Sequence, residues 1–139
     1  ILFQSEDVEF RLNDEAAVSQ WISAVISKEK CRLSGLNFIF CSDDYLHQIN
    51  ITYLDHDTLT DIITFPYDHP PNIKGDVFIS IDRIRDNAEQ LKTSFSDELH
   101  RVIIHGVLHL CGYGDKTPDE KKRMTQKEDA ALQIFGQPL

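Results

Sequence analysis

The chain lacks any apolar run near the roughly 20 residues that cross a bilayer, and no signal-peptide layout opens it, so no membrane partner is expected. It lacks paired cysteines. Cys31, Cys41 and Cys111 are odd in number, widely spaced and form no C-x-x-C unit, which argues against a disulfide framework or a cysteine-rich zinc finger. They read as small buried thiols in a reducing cytoplasm. Basic side chains are also scarce: 14 Lys and Arg against 23 Asp and Glu give a formal net charge of −9. Proteins that grip nucleic acid through a broad basic surface show the opposite balance. Repeats, low-complexity tracts and linkers are absent as well. What is present is ordinary globular composition, 41% hydrophobic and 27% charged over 139 residues, a length that suits one domain spanning 1–139.

Periodicity supplies the elements. Val8, Phe10 and Leu12 alternate with Glu9 and Arg11, which predicts a half-exposed strand. Ala17, Trp21, Ile22, Val25 and Ile26 fall at helical spacing within a helix from about Asp14 to Lys30. Leu36 to Cys41 is an apolar run suited to an interior strand. Ser42, Asp43 and Asp44 mark the start of a helix running to about Tyr53, because short oxygen side chains bond the unsatisfied first amides. Asp61 to Phe65 is β-branched and stops at Pro66, as an edge strand does. Gly75 to Ile81 is the clearest strand, and Asp82–Lys92 and Ser96–Cys111 read as helices. Thr117-Pro118-Asp119-Glu120 spells a capping box with proline at the first turn, opening a last helix to about Phe135. Without strict βα alternation, the order favours α+β over a doubly wound parallel sheet.

The chemistry concentrates in His105 to Asp115, HGVLHLCGYGD. His105 and His109 are four apart on a predicted helix, so they differ by roughly 40° around its axis and project from one face. Imidazoles so placed suit one divalent cation, at about 2.0–2.1 Å for zinc. Gly112 sits where a left-handed residue ends the helix, and Asp115 follows three residues later as an oxygen ligand. The intervals are those of the metzincin pattern H-E-x-x-H-x-x-G-x-x-H, but Gly106 stands where those peptidases carry the catalytic glutamate, and the third ligand is Asp. Two hydrogen-bonded core histidines are the alternative; the glycine and the third ligand at the right interval favour metal. Cys111 lies on roughly the opposite helical face and is not counted as a ligand. Val102, Ile103, Ile104, Val107, Leu108 and Leu110 leave this helix almost no polar face. That puts the histidines at the floor of a cleft, with burial favouring the neutral, ligating imidazole. Three protein ligands leave a fourth position open, the arrangement of a catalytic site, where a metal acidifies water and hydrolysis is the expected step.

These residues resemble the YbeY family, metal-dependent endoribonucleases of ribosomal RNA maturation. The family signature H-G-x-L-H-L-x-G-Y-D-H is followed closely by residues 105–113, HGVLHLCGY. The block L-N-x-x-Y-R-x-x-D-x-x-T-D-V-L-S-F is echoed by Ile49 to Phe65, and G-D-I-x-I-S by Gly75 to Ser80. The resemblance covers nearly the whole chain. It implies an α+β, zincin-like fold with a mixed sheet, one zinc ion per chain, and cytoplasmic, single-strand-specific cleavage of ribosomal RNA precursor. Ribosomal proteins or ribosome-associated factors are the further partners implied.

Two departures bear on catalytic strength more than on fold. The family's third histidine falls, without gaps, on Asp115; a one-residue insertion at Gly114 would pair it with Lys116, which is no metal ligand when protonated. The ungapped reading assigns the metal to His105, His109 and Asp115. A carboxylate in place of an imidazole adds negative charge and weakens the metal as a Lewis acid. Leu54 replaces the family arginine, so no guanidinium from that position neutralises a phosphate. A catalytically weak ribosome-assembly factor is therefore the rival reading; a zincin-like peptidase is disfavoured by Gly106.

Other polar residues read less sharply. Thr60 and Asp61 are either a polar strand start or a cleft wall, Asp76 a turn acid, and His56 and His69 solvated loop residues, with His56 nearest the cleft. No general base is assignable. The acid excess is concentrated early in the chain, while Lys116, Lys121, Lys122, Arg123 and Lys127 gather just after the site against Asp119 and Glu120. This is either a solvated helix face or a local basic rim able to hold a short stretch of RNA.

Overall fold

Short oxygen-bearing side chains set the helix starts. The computed structural model describes residues 1–135. Within them the order is β1 (Leu2–Ser5), α1 (Glu15–Lys28), β2 (Arg32–Cys41), α2 (Asp43–Leu54), β3 (Ile62–Pro66), β4 (Asn72–Ser80), α3 (Ile81–Leu91), α4 (Phe95–Leu110) and α5 (Pro118–Ile134). Asp14, Ser42, Ser80, Ser94 and Thr117 each accept, through the side chain, from a backbone N–H three residues on. Each satisfies one of the first-turn amides that have no intrahelical partner. The Thr117–Glu120 capping box forms as the spacing predicts.

The four strands make one mixed sheet in the order β1-β2-β4-β3. β1 and β4 flank β2 in parallel, and β3 returns antiparallel on the outer side of β4. The apolar run Leu36–Cys41 is thus interior, and the strand that stops at Pro66 is at an edge. Gly75 lies where β4 meets that edge: a Cβ there would come within 2.6 Å of the Phe65 carbonyl oxygen. Side-chain parity then divides the core. Leu36, Phe38, Phe40, Val77 and Ile79 pack with Val18, Ile22 and Ile26 of α1 and Ile103, Ile104 and Val107 of α4. Cys41 and Ile63 pack instead with Leu46 of α2, so α2 covers the other face. This α+β fold puts α4 across the middle of the sheet, with its C-terminal half over β3 and β4.

The alternation at Val8, Phe10 and Leu12 is not a strand. The ladder to β2 is taken by β1, and residues 9–12 run without sheet pairing. Their apolar side chains still turn inward against the core, with Phe10 edge-on to Phe40 at 4.9 Å. Alternation reports which side chains are buried; it does not supply a hydrogen-bonding partner.

Candidate metal centre and cleft

A cleft of about 590 Å³ opens between the end of α2, the start of β3 and the C-terminal half of α4. His105, His109, Asp115 and Lys116 line one wall; Leu54, His56, Thr58, Thr60 and Asp61 line the other. The structure therefore brings the three candidate ligands to one cavity. It does not draw them into a tripod: among the described residues no three His, Cys, Asp or Glu groups are gathered closely enough to hold an ion.

The two imidazoles differ in depth. His105 is half-buried, whereas His109, one turn later, is exposed at the mouth, so only the first of the expected pair sits deep. His105 Nδ1 lies 2.7 Å from Glu128 Oε2 and its Nε2 lies 3.3 Å from Asp115 Oδ2. His109 Nδ1 donates to the Tyr113 carbonyl at 3.1 Å. Burial does push His105 toward the neutral form, as expected, but it is not the largest influence. The hydrogen bond with Glu128 is the largest influence and raises its pKa above the usual 6.5; burial opposes it, and the charges of Glu128, Asp115 and Asp61 add to it. Carboxylates on both sides outweigh desolvation.

The turn that carries Asp115 is pinned at both ends. Gly112 adopts φ +112°, the left-handed region a helix stop requires. The Tyr113 and Gly112 amides bond back to the Leu108 and His109 carbonyls, closing α4 as a Schellman motif. The Tyr113 hydroxyl donates to Glu29 of the α1 C-cap, and Lys127 stands 5.5 Å from its ring. At the far end, Glu120 Oε1 accepts from the Lys116 and Thr117 amides at 3.2 and 3.0 Å. A Cβ on Gly114 would press on the Glu120 carboxylate and oblige that side chain to shift.

Gly106 is buried against β3 and β4. A Cβ on it would fall 2.8 Å from Ile62 Cδ1 and 3.4 Å from Val77 Cγ1, so this glycine lets α4 approach the sheet closely. Thr60 and Asp61 do form the cleft wall. Asp61 accepts from Asn87 Nδ2 at 3.3 Å, and burial raises its pKa above the ordinary carboxylate range. Asp76 is no turn acid: it sits within β4, accepting from Asn37 at 3.0 Å and from the Tyr67 hydroxyl at 2.7 Å. His56 lines the exposed part of the cleft; His69 is in an exposed loop. Leu54, the last residue of α2, presents an alkyl group to the cavity. Burial is the chief cause that pushes the thiols of Cys41 and Cys111 up to about 12.

Two residues escaped the sequence reading. Glu128 is buried on α5 and contacts His105, and Arg101 Nη1 donates to Glu128 Oε1 at 2.9 Å while its Nη2 reaches Asp129 at 2.7 Å. A signal existed: Met124, Glu128 and Ala131 form the buried stripe of α5, so an acid stands at a core position. Arg101, His105 and His109 likewise follow one another at four-residue steps on α4.

Comparison with known proteins points one way. The family profile described as Endoribonuclease YbeY matches residues 1–136. A protein of Flavobacterium johnsoniae named Endoribonuclease YbeY is 48% identical over 129 residues, 93% of each chain. One of the same name from Cytophaga hutchinsonii is 50% identical over 135 residues, 96% of this chain and 94% of the relative. A solution structure of a Thermotoga maritima protein shares the fold at a TM-score of 0.69 and 22% identity, covering 97% of this chain and 89% of its own.

Proposed function

The chain belongs to the YbeY endoribonuclease family and is thus a nuclease, a hydrolase acting on RNA; from that premise we propose that it is a zinc-dependent, single-strand-specific endoribonuclease of ribosomal RNA maturation. Residues 1–139 act as one metal-dependent hydrolase domain of zincin-like build, working in the cytoplasm. No helix among the described residues is long and apolar enough to cross a membrane.

One observation carries the reading. Both imidazoles have Nδ1 against an oxygen, His105 on Glu128 and His109 on the Tyr113 carbonyl, which leaves each Nε2 as the ring nitrogen for an ion. Asp115 stands beside the first of them on the same cavity wall. Ligating histidines hold their second nitrogen in this way. The donor set of two imidazoles and a carboxylate fits zinc, with His105, His109 and Asp115 holding it. When bound, the ion supplies Lewis acidity, lowering the pKa of water and polarising a phosphoryl oxygen.

The chain's own residues provide the rest. Lys116, at the cleft beside Asp115, brings positive charge to a phosphate. Thr58 and Thr60 offer hydroxyls to a nucleotide on the opposite wall, and Leu54 offers only apolar contact. The turn between Gly112 and Thr117, pinned at both ends, holds Asp115 on the cavity wall beside His105.

Zinc content and RNA cleavage test this together. Purified protein is expected to carry one zinc per chain and His109→Ala far less; equal stoichiometry ends the ligand assignment. Single-stranded RNA is expected to be cut faster than duplex by the native protein, with cleavage lost in Asp115→Ala. Leu54 on the cleft wall favours a second reading, an assembly factor that binds metal, RNA or ribosomal proteins and cuts little. RNA binding together with indistinguishable cleavage by native protein and Asp115→Ala supports that alternative.

A further inference from the structure

We propose that Glu128 is the positioning residue for His105: its carboxylate keeps the imidazole proton on Nδ1 and so turns the Nε2 lone pair toward Asp115. The inference rests on the reading that His105 ligates a metal. Glu128 is 7% exposed, on the core stripe of α5, where an apolar side chain would pack without the cost of burying a charge. Its two oxygens are divided. Oε1 accepts from Arg101 Nη1 at 2.9 Å, and Oε2 lies 2.7 Å from His105 Nδ1. An ionised carboxylate has no proton to give, so Nδ1 must be the donor. In the neutral ring Nε2 is then the acceptor, and it faces Asp115 Oδ2 at 3.3 Å. With the ring neutral these two lone pairs face one another and are complementary to a cation, whereas a protonated ring would donate to Asp115 instead.

Arg101 alone would account for a buried acid at 128, but it uses one oxygen only. The second oxygen is what a purely structural ion pair leaves unexplained. This division also gives the proposal its test, because Glu128→Gln keeps the volume and supplies a single oxygen. The guanidinium has no acceptor and cannot face an amide nitrogen, so the Gln oxygen goes to Arg101 and its NH₂ group meets Nδ1. Nδ1 must then accept, and the proton moves to Nε2, removing the metal's lone pair.

Long-range ¹H–¹⁵N spectra of the metal-free protein, at a pH where the ring is neutral, read this directly. The native protein is expected to show the Nδ1–H tautomer of His105 and Glu128→Gln the Nε2–H tautomer. Zn²⁺ affinity, measured by competition with a chelating dye, is expected to fall about 10–100-fold in Glu128→Gln. A native protein already in the Nε2–H form overturns the proposal without any variant. So does a Glu128→Gln protein with native tautomer and native zinc affinity. His105→Ala separates the two levels: if it binds zinc as tightly as the native chain, the parent reading fails, and with it the role assigned to Glu128. If it loses zinc while Glu128→Gln does not, only the positioning role fails.

Discussion

His100 and His105 lie on consecutive turns of α4 and are moved in opposite directions by their surroundings. His100 packs against Trp21 and Phe135, with ring centroids 5.7 and 4.4 Å away, and burial lowers its pKa below 6.5. His105 meets Glu128, and its pKa rises. The linkage signs follow. A depressed histidine contributes stability that is fully present above the unfolded pKa of about 6.5 and is lost as pH falls from there through the folded value. A raised one contributes stability present below about 6.5 and lost as pH rises through its folded value. Comparing variants isolates one from the other: His100→Phe is expected to lose less stability than the native protein between pH 7.5 and 5.5. Urea denaturation of the metal-free proteins at both pH values checks this, and parallel losses would refute it. At this scale the sequence exposed the two candidate ligand histidines, because four-residue spacing is visible in one dimension. It hid Glu128, 23 residues from its partner, because only the packing of α5 on α4 joins them.

Helix α4 explains why a glycine stands inside the signature. Gly106 is where the helix lies against Ile62 and Val77, so any larger side chain there meets β3 and β4 first. What disfavours the peptidase reading is the residue type itself, since a glycine at 106 supplies no carboxylate. Gly106→Glu is expected to destabilise by at least about 2 kcal/mol, from overpacking and a buried carboxylate, despite the better helix propensity of glutamate. Thermal or denaturant unfolding measures it; a variant as stable as the native chain would show that α4 stands off the sheet. Element boundaries were otherwise legible, because Ser42, Thr117 and Gly112 carry local chemistry that starts or stops helices. The segment Val8–Leu12 was misread for the opposite reason. Its inward side chains obey a strand's period, yet β1 already occupies the edge of β2.

Over the whole molecule the net charge of −9 remains, but its distribution matters more than its sum. Lys127 is not part of a free basic rim, since it bonds Glu29 at 3.1 Å and lies over the Tyr113 ring. Lys116, Lys121, Lys122 and Arg123 are exposed, and Lys116 lines the cleft beside Asp115. If those cations carry single-stranded RNA, log K is expected to fall with log salt at a slope of about −3, so affinity drops about 50-fold between 50 and 200 mM salt. Fluorescence anisotropy with a short labelled RNA measures the slope, and a flat response would show that these cations do not contact phosphate. The sequence by itself determined the helix starts, the edge strand, the α+β class and the H-x-x-x-H pair, because each depends on residues within a turn or two of one another. Tertiary structure alone decided that Gly106 faces the sheet, that Lys127 is spent on Glu29, and that Glu128 meets His105. Those contacts join segments far apart in the chain, and only the packing of helices across a shared sheet brings them within bonding distance.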